Sequence, residues 1–260
     1  MIMATRTTRK DQRLGRFFER RDDRDFPFYD GRPIEVPSWR WLIVVVGCVA
    51  GFFALATIPA ANNVGELFPR SLFTGIMLVV FILMVGRNWT AIFKKPTGAD
   101  WVAMLVYAAL TLAVSAILAT VVRAFSATAS NPATDGLAAG GAPEITAFYV
   151  GTAIQLLGEE LFSVLPFLAL MYVLYSKLKF SRGTSIIVAW LVVAVWFGAA
   201  HLPTYGWNVA QALIVIGGAR LVLTLAYIRT KNIWVSTGAH IINDWAGFTF
   251  VLVTTSALSV

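Results

Sequence analysis

Seven long apolar blocks, at residues 39–59, 67–85, 99–122, 145–175, 184–201, 207–228 and 233–255, decide what this chain can become. Each is about long enough to cross a hydrocarbon core of roughly 30 Å as a helix. In lipid the backbone has no water to bond, so a spanning segment must be a helix or part of a closed barrel. The blocks lack the two-residue alternation of barrel strands, so helices are expected. Composition agrees: 58% of the 260 residues are hydrophobic and only 13% are charged, against about a quarter in soluble domains. The expected fold is all-α, a polytopic transmembrane helical bundle of about seven spans.

The formal charge of +7 does not point to nucleic acid, because the cations sit in the tail and the short loops. Arg87, Lys94 and Lys95 follow the second block, Lys177, Lys179 and Arg182 the fourth, and Arg229 and Lys231 the sixth. The opposite side has little beyond Arg70 and Arg123. By the positive-inside rule the N-terminus is expected to be cytoplasmic and the C-terminus outside. Trp39, Trp41, Trp89, Trp101, Trp207 and Trp234 fall near the ends of blocks and read as an interfacial belt. The single cysteine, Cys48, excludes a disulfide within the chain. Three parts are expected: a charged tail over 1–38, three helices with a Gly/Ala/Ser/Pro-rich outer loop over 39–144, and a core of four helices over 145–260. The tail alternates both signs of charge and is broken by Pro27, Pro33 and Pro37. It reads as a partly disordered segment, too polar for a cleavable signal peptide. A short basic amphipathic helix around Leu14, Phe17 and Phe18, resting on anionic lipid, is the alternative.

A charge near the bilayer centre costs a few kcal/mol or more, so few are kept without a use. Glu159, Glu160, His201, Arg220, His240, Asn243 and Asp244 all fall in the last four blocks, and both histidines of the chain are among them. His240 and Asp244 are four apart and share a helix face, as do Phe197 and His201. Glu159 and Glu160 point about 100° apart, so one can act while the other holds a neighbouring helix. Counting from the block ends, Glu159 and His240 come to nearly the same depth, whereas His201 falls close to the outer end of its span. A desolvated glutamate makes a general base for water. One histidine can position that water or stabilise an oxyanion, and a second is oriented by its aspartate. Glu159, His201 and His240 could instead hold a divalent metal such as zinc, although no HExxH motif is present. A proton-coupled transporter would use the same residue types, but no inverted repeat is visible. Asn243 reads as an interhelical hydrogen-bonder, or as a substitute for Asp244.

The segments "EELFSV", "FGAAH" and "HIIND" resemble the motifs EExxxR, FxxxH and HxxxN/D of the CPBP (Abi) family, the CAAX-processing and bacteriocin-processing intramembrane proteases. The resemblance covers about residues 145–250. It implies that Glu159 activates water, that Glu160 is a more structural carboxylate, that His201 shares the attacking water, and that His240 and Asp244 stabilise the oxyanion. It also implies a multi-pass protein of a bacterial plasma membrane. Such an endopeptidase cuts a peptide or lipidated-peptide substrate and has membrane lipids, but no nucleic acid, as partners. The family's eukaryotic branch trims prenylated CAAX termini, and bacterial members are linked to bacteriocin maturation and self-immunity. One position departs: the motif arginine is Val164 here. Arg220, on the sixth block, is expected to replace it as the counter-charge to Glu160. A non-catalytic immunity or scaffold protein is the alternative that Val164 leaves open.

Overall fold

The structure, a computed structural model, describes residues 13–135, 137 and 140–258. Seven α-helices appear among them: α1 (Ser38–Thr57), α2 (Asn63–Val85), α3 (Gly98–Arg123), α4 (Ala142–Tyr172), α5 (Arg182–Ala200), α6 (Gly217–Thr230) and α7 (Ile233–Leu258). A 3-10 segment, Gly86–Ile92, extends α2, and π-helical turns, Val173–Lys177 and Gln211–Ile216, extend α4 and precede α6. Local sequence sets the starts. Asn62 accepts from the Gly65 amide at α2, Thr97 and Asp100 form a capping box at α3, and Ser181 accepts from the Thr184 amide at α5.

Six helices among the described residues are long and apolar enough to cross a membrane, so the chain is a multi-pass membrane protein. The seventh expected span, α7, is a helix of 26 residues but is not one of the six. His240, Asn243 and Asp244 interrupt the apolar run in its first half.

The helix α4 is the axis of the bundle. Every residue from 158 to 169 is buried, as expected of a helix enclosed on all sides. The peripheral helices α1, α3 and α5 each bury one stripe and leave residues such as Leu42, Val102 and Val195 facing outward. The contact of α2 with α4 depends on Gly158. A Cβ there would come within 2.4 Å of Thr74 Oγ1 and 2.7 Å of the Phe73 ring. With nothing but hydrogen at that position, the Thr74 hydroxyl reaches the Ile154 carbonyl at 2.7 Å and fixes the register of α4 just before its two glutamates. Gly217 and Gly218 permit similarly close packing, with Ala194 of α5 and Leu118 of α3 against them.

Two sequence expectations are corrected. Residues 13–37 are not a solvated tail: they fold over one end of the bundle, the expected cytoplasmic one. No helix forms around Leu14, Phe17 and Phe18; residues 1–12, part of the same expectation, lie outside the described residues. The alternating charges have fixed partners instead. Arg182 donates to both oxygens of Glu19 at 2.7 Å and to Asp25 Oδ1 at 2.7 Å, and Lys231 Nζ reaches Glu19 Oε2 at 2.7 Å. Arg20 and Arg24 both grip Asp100. Phe26 packs on Phe167 and Tyr227, and Phe28 on Trp41 and Phe81. The second correction follows from the first: Trp41 is not interfacial but 2% exposed, because Phe28 covers it. Burial pushes the Glu19 carboxyl up, but the Arg182 hydrogen bonds and the Lys231 and Arg182 charges outweigh it and hold the group at about 2.

Candidate active site

His240, on α7, is the hub of the polar residues inside the bundle. Its Nδ1 lies 2.9 Å from Glu160 Oε1, and its Nε2 lies 3.7 Å from both Glu159 Oε2 and Asp244 Oδ2. Arg220 of α6 donates from Nη1 to the same Glu160 oxygen at 2.6 Å. The guanidinium, absent at Val164, is thus supplied from a neighbouring helix, while Val164 itself is buried in the apolar core. Four helices meet at the cluster: α4 brings the two glutamates, α6 Arg220, α7 the His240–Asp244 pair one turn apart, and α5 the apolar ring of Phe197.

The hydrogen-bonding capacities fix the imidazole. Glu160, held by a guanidinium, only accepts, so His240 Nδ1 carries the proton that bridges them. A bare Nδ1 would face a carboxylate oxygen lone pair to lone pair. Arg220 Nη2, 3.3 Å from Nδ1, is also a donor and makes no bond to a protonated nitrogen. Nε2 is therefore the working nitrogen, turned toward two carboxylates that stop short of direct hydrogen-bond distance.

The two glutamates differ as their helical angle predicts. Glu160 is fully buried and clamped by Arg220 and His240. Glu159 is 9% exposed and accepts from Gln155 Nε2 at 2.9 Å. Gln155 was not singled out from sequence, although its i−4 spacing places it on the Glu159 face. The expected interhelical bond of Asn243 is not seen among the described residues: its amide donates to the adjacent Asp244 Oδ1 at 2.7 Å, within α7. Beside the His240 contacts, α4 and α7 are joined by Trp245 Nε1, which donates to Thr152 Oγ1 at 3.1 Å.

His201 meets this group through an aromatic. It caps the C-terminus of α5, and its Nδ1 donates to the Phe197 carbonyl at 2.9 Å, which leaves Nε2 bare. Its ring lies 4.5 Å from Phe197, whose own ring lies 6.5 Å from His240 and 3.8 Å from the Arg220 guanidinium carbon. The Tyr205 ring lies near-parallel to that of His201, with centroids 6.5 Å apart. The structure thus gathers Glu159, Glu160, Arg220, His240 and Asp244 into one cluster and sets His201 beside it, with Phe197 between. Phe197 was legible only as the residue four before His201.

Among the described residues no group of three or more His, Cys, Asp or Glu is spaced to hold a metal ion. His201, the third member of the expected zinc set, has no described contact with Glu159 or His240. The donor set as placed does not fit such an ion.

Replacing Arg220 with methionine is expected to destabilise the protein by about 3–5 kcal/mol, since it strands Glu160 in the core. The double variant Arg220→Met, Glu160→Leu should recover much of that loss, as a thermal melt in detergent would record.

Neither curated proteins nor solved structures gave a match to the chain. Residues 141–246 match the family model described as type II CAAX prenyl endopeptidase Rce1-like. That family indicates a membrane protease of the CAAX endopeptidase type. The matched segment opens at the start of α4, ends within α7 and holds every residue of the cluster, so the part of the chain that builds the site is the part similar to the Rce1-like endopeptidases.

Proposed function

We propose that the chain is an intramembrane endopeptidase in which Glu159 activates water against a peptide bond of a lipidated, membrane-associated peptide. The observation that carries this reading is the convergence of Glu159 and Asp244 on His240 Nε2, with Nδ1 locked by the Glu160–Arg220 pair. Glu159 takes a proton from water as the hydroxide adds to the scissile carbonyl. His240, protonated at both nitrogens with Nδ1–H on Glu160, presents Nε2–H to the oxyanion. Asp244 and Glu160 balance the imidazolium. Glu159 then returns its proton to the departing amine, the carbon–nitrogen bond breaks, and the new carboxyl and amine leave. The bare Nε2 of His201 is assigned as a second acceptor for the attacking water, with Phe197 fixing the spacing between the two imidazoles. A plasma-membrane location accompanies this reading.

The test is cleavage by the purified full chain in liposomes. It uses peptides that end in a CAAX-like tetrapeptide, with and without a prenyl thioether, and reads products by mass spectrometry before and after a chelator. Chelator-insensitive cutting of the prenylated peptide is the expected result. An intact, folded chain that cuts neither peptide would sink the enzyme reading in favour of a scaffold, and chelator-sensitive cutting would sink the metal-free chemistry.

A further inference from the structure

A groove of about 570 Å³ runs between α3 and the end of α6, away from the polar cluster. Its floor is an apolar stripe on α3, from Ala99 through Val102 and Val106 to Leu110, spaced at one face of the helix and about 16 Å long. Leu225 of α6 forms the opposite wall. One end is strongly cationic. Arg16, Arg20 and Arg229 rim it, no carboxylate lines it among the described residues, and Asp100, the partner of Arg20, is shared with Arg24. Neither Arg16 nor Arg229 has a carboxylate partner among the described residues. Arg229 instead donates to the backbone carbonyls of Arg16, at 2.8 Å, and Phe17. The Phe17 ring, 69% exposed, stands at the same rim.

We propose that this groove binds an anionic glycerophospholipid, with the phosphate against Arg16 and Arg229 and one acyl chain along the α3 stripe. Any lipid would cover the exposed Val102 and Val106. The unbalanced guanidinium pair is what discriminates, because an anionic headgroup supplies the charge that the protein withholds. The tail residues that carry Arg16 and Phe17 are held to α6 through Arg229, so the bound lipid would also brace the tail against the bundle. This inference does not depend on the protease reading.

The test is native mass spectrometry of the delipidated full chain in detergent, titrated with phosphatidylglycerol or phosphatidylcholine of equal chain length. Wild type should retain phosphatidylglycerol preferentially. Arg16→Gln, at an exposed position outside the core, should weaken that retention about fivefold. Val106→Trp, which fills the groove and alters no charge, should weaken it as well. Arg229→Gln is a poorer probe because it also releases the tail. Equal retention of the two lipids by wild type, or unchanged retention in both Arg16→Gln and Val106→Trp, would overturn the proposal. So would full competition by inorganic phosphate, which would mark a plain anion site.

Discussion

Glu159→Gln is expected to slow peptide cleavage by a factor of about 10²–10⁴ and to leave the melting temperature almost unchanged. The substitution isolates chemistry from architecture. The amide has the carboxylate's volume, and its oxygen still accepts from Gln155 Nε2, so the side chain stays where the 2.9 Å contact now holds it. What it loses is the capacity to take a proton from water. Glu159 makes no ion pair closer than the 3.7 Å approach to His240 Nε2, so no strong attraction is forfeited. The adjacent Glu160→Gln should behave oppositely: it removes the charge that neutralises Arg220 in the core, and stability should fall together with activity. Rates on a prenylated peptide, with melts of both variants, check the contrast. Two adjacent glutamates giving equal losses of rate and equal losses of stability would show that the division of labour between them is wrong.

That the two side chains meet different surroundings was legible from spacing, since neighbours on a helix cannot face the same cavity equally; the role given to each came from the family resemblance. Most of the scaffold was legible for a similar reason. Runs of about twenty apolar residues have one stable form in lipid, and the seven expected helices all appear, with starts set by Asn62, Thr97 and Ser181. The replacement of Val164 by Arg220 could be anticipated because a guanidinium within the membrane needs a counter-charge and few were on offer. Other features were hidden by the kind of information that sets them. His201 lies beyond the last turn of α5, and helical periodicity says nothing about where a capping residue points. The tail was hidden for a deeper reason. A run of alternating charges looks the same whether each ion faces water or a partner two hundred residues away. Arg182 and Lys231 read as topology signals, yet they are the fixed partners of Glu19. Loop cations that set orientation during insertion remain free to be buried once the bundle has formed.

The burial of those partners makes Glu19→Ala the second large effect. Arg182 and Lys231 are almost inaccessible and share one carboxylate, so removing it strands Lys231 without its described ion pair and leaves Arg182 with Asp25. Breaking a buried pair in this way costs about 3–5 kcal/mol, enough to release residues 13–37. Limited proteolysis should then cut the tail in the variant and spare it in wild type. Acid should imitate the mutation. The folded Glu19 carboxyl is held at about 2, below its ordinary 4.5, so its contribution is complete above pH 4.5 and is lost as pH falls toward 2. Tail protection in wild type should fade over that interval, and in Glu19→Gln that part of the acid dependence should vanish. Because Lys231 is the left-handed residue that turns α6 into α7, the loss should also reach the cluster. Arg220 and His240 stand on either side of that turn, and a loosened hairpin would separate His240 Nδ1 from Glu160 and lower the cleavage rate. Glu19→Ala with Lys231→Met tests the cause: with no stranded ammonium, both stability and rate should recover in part. A double variant as unstable as the single one would mean that the tail is held by Phe26 and Phe28 packing and not by the buried charges.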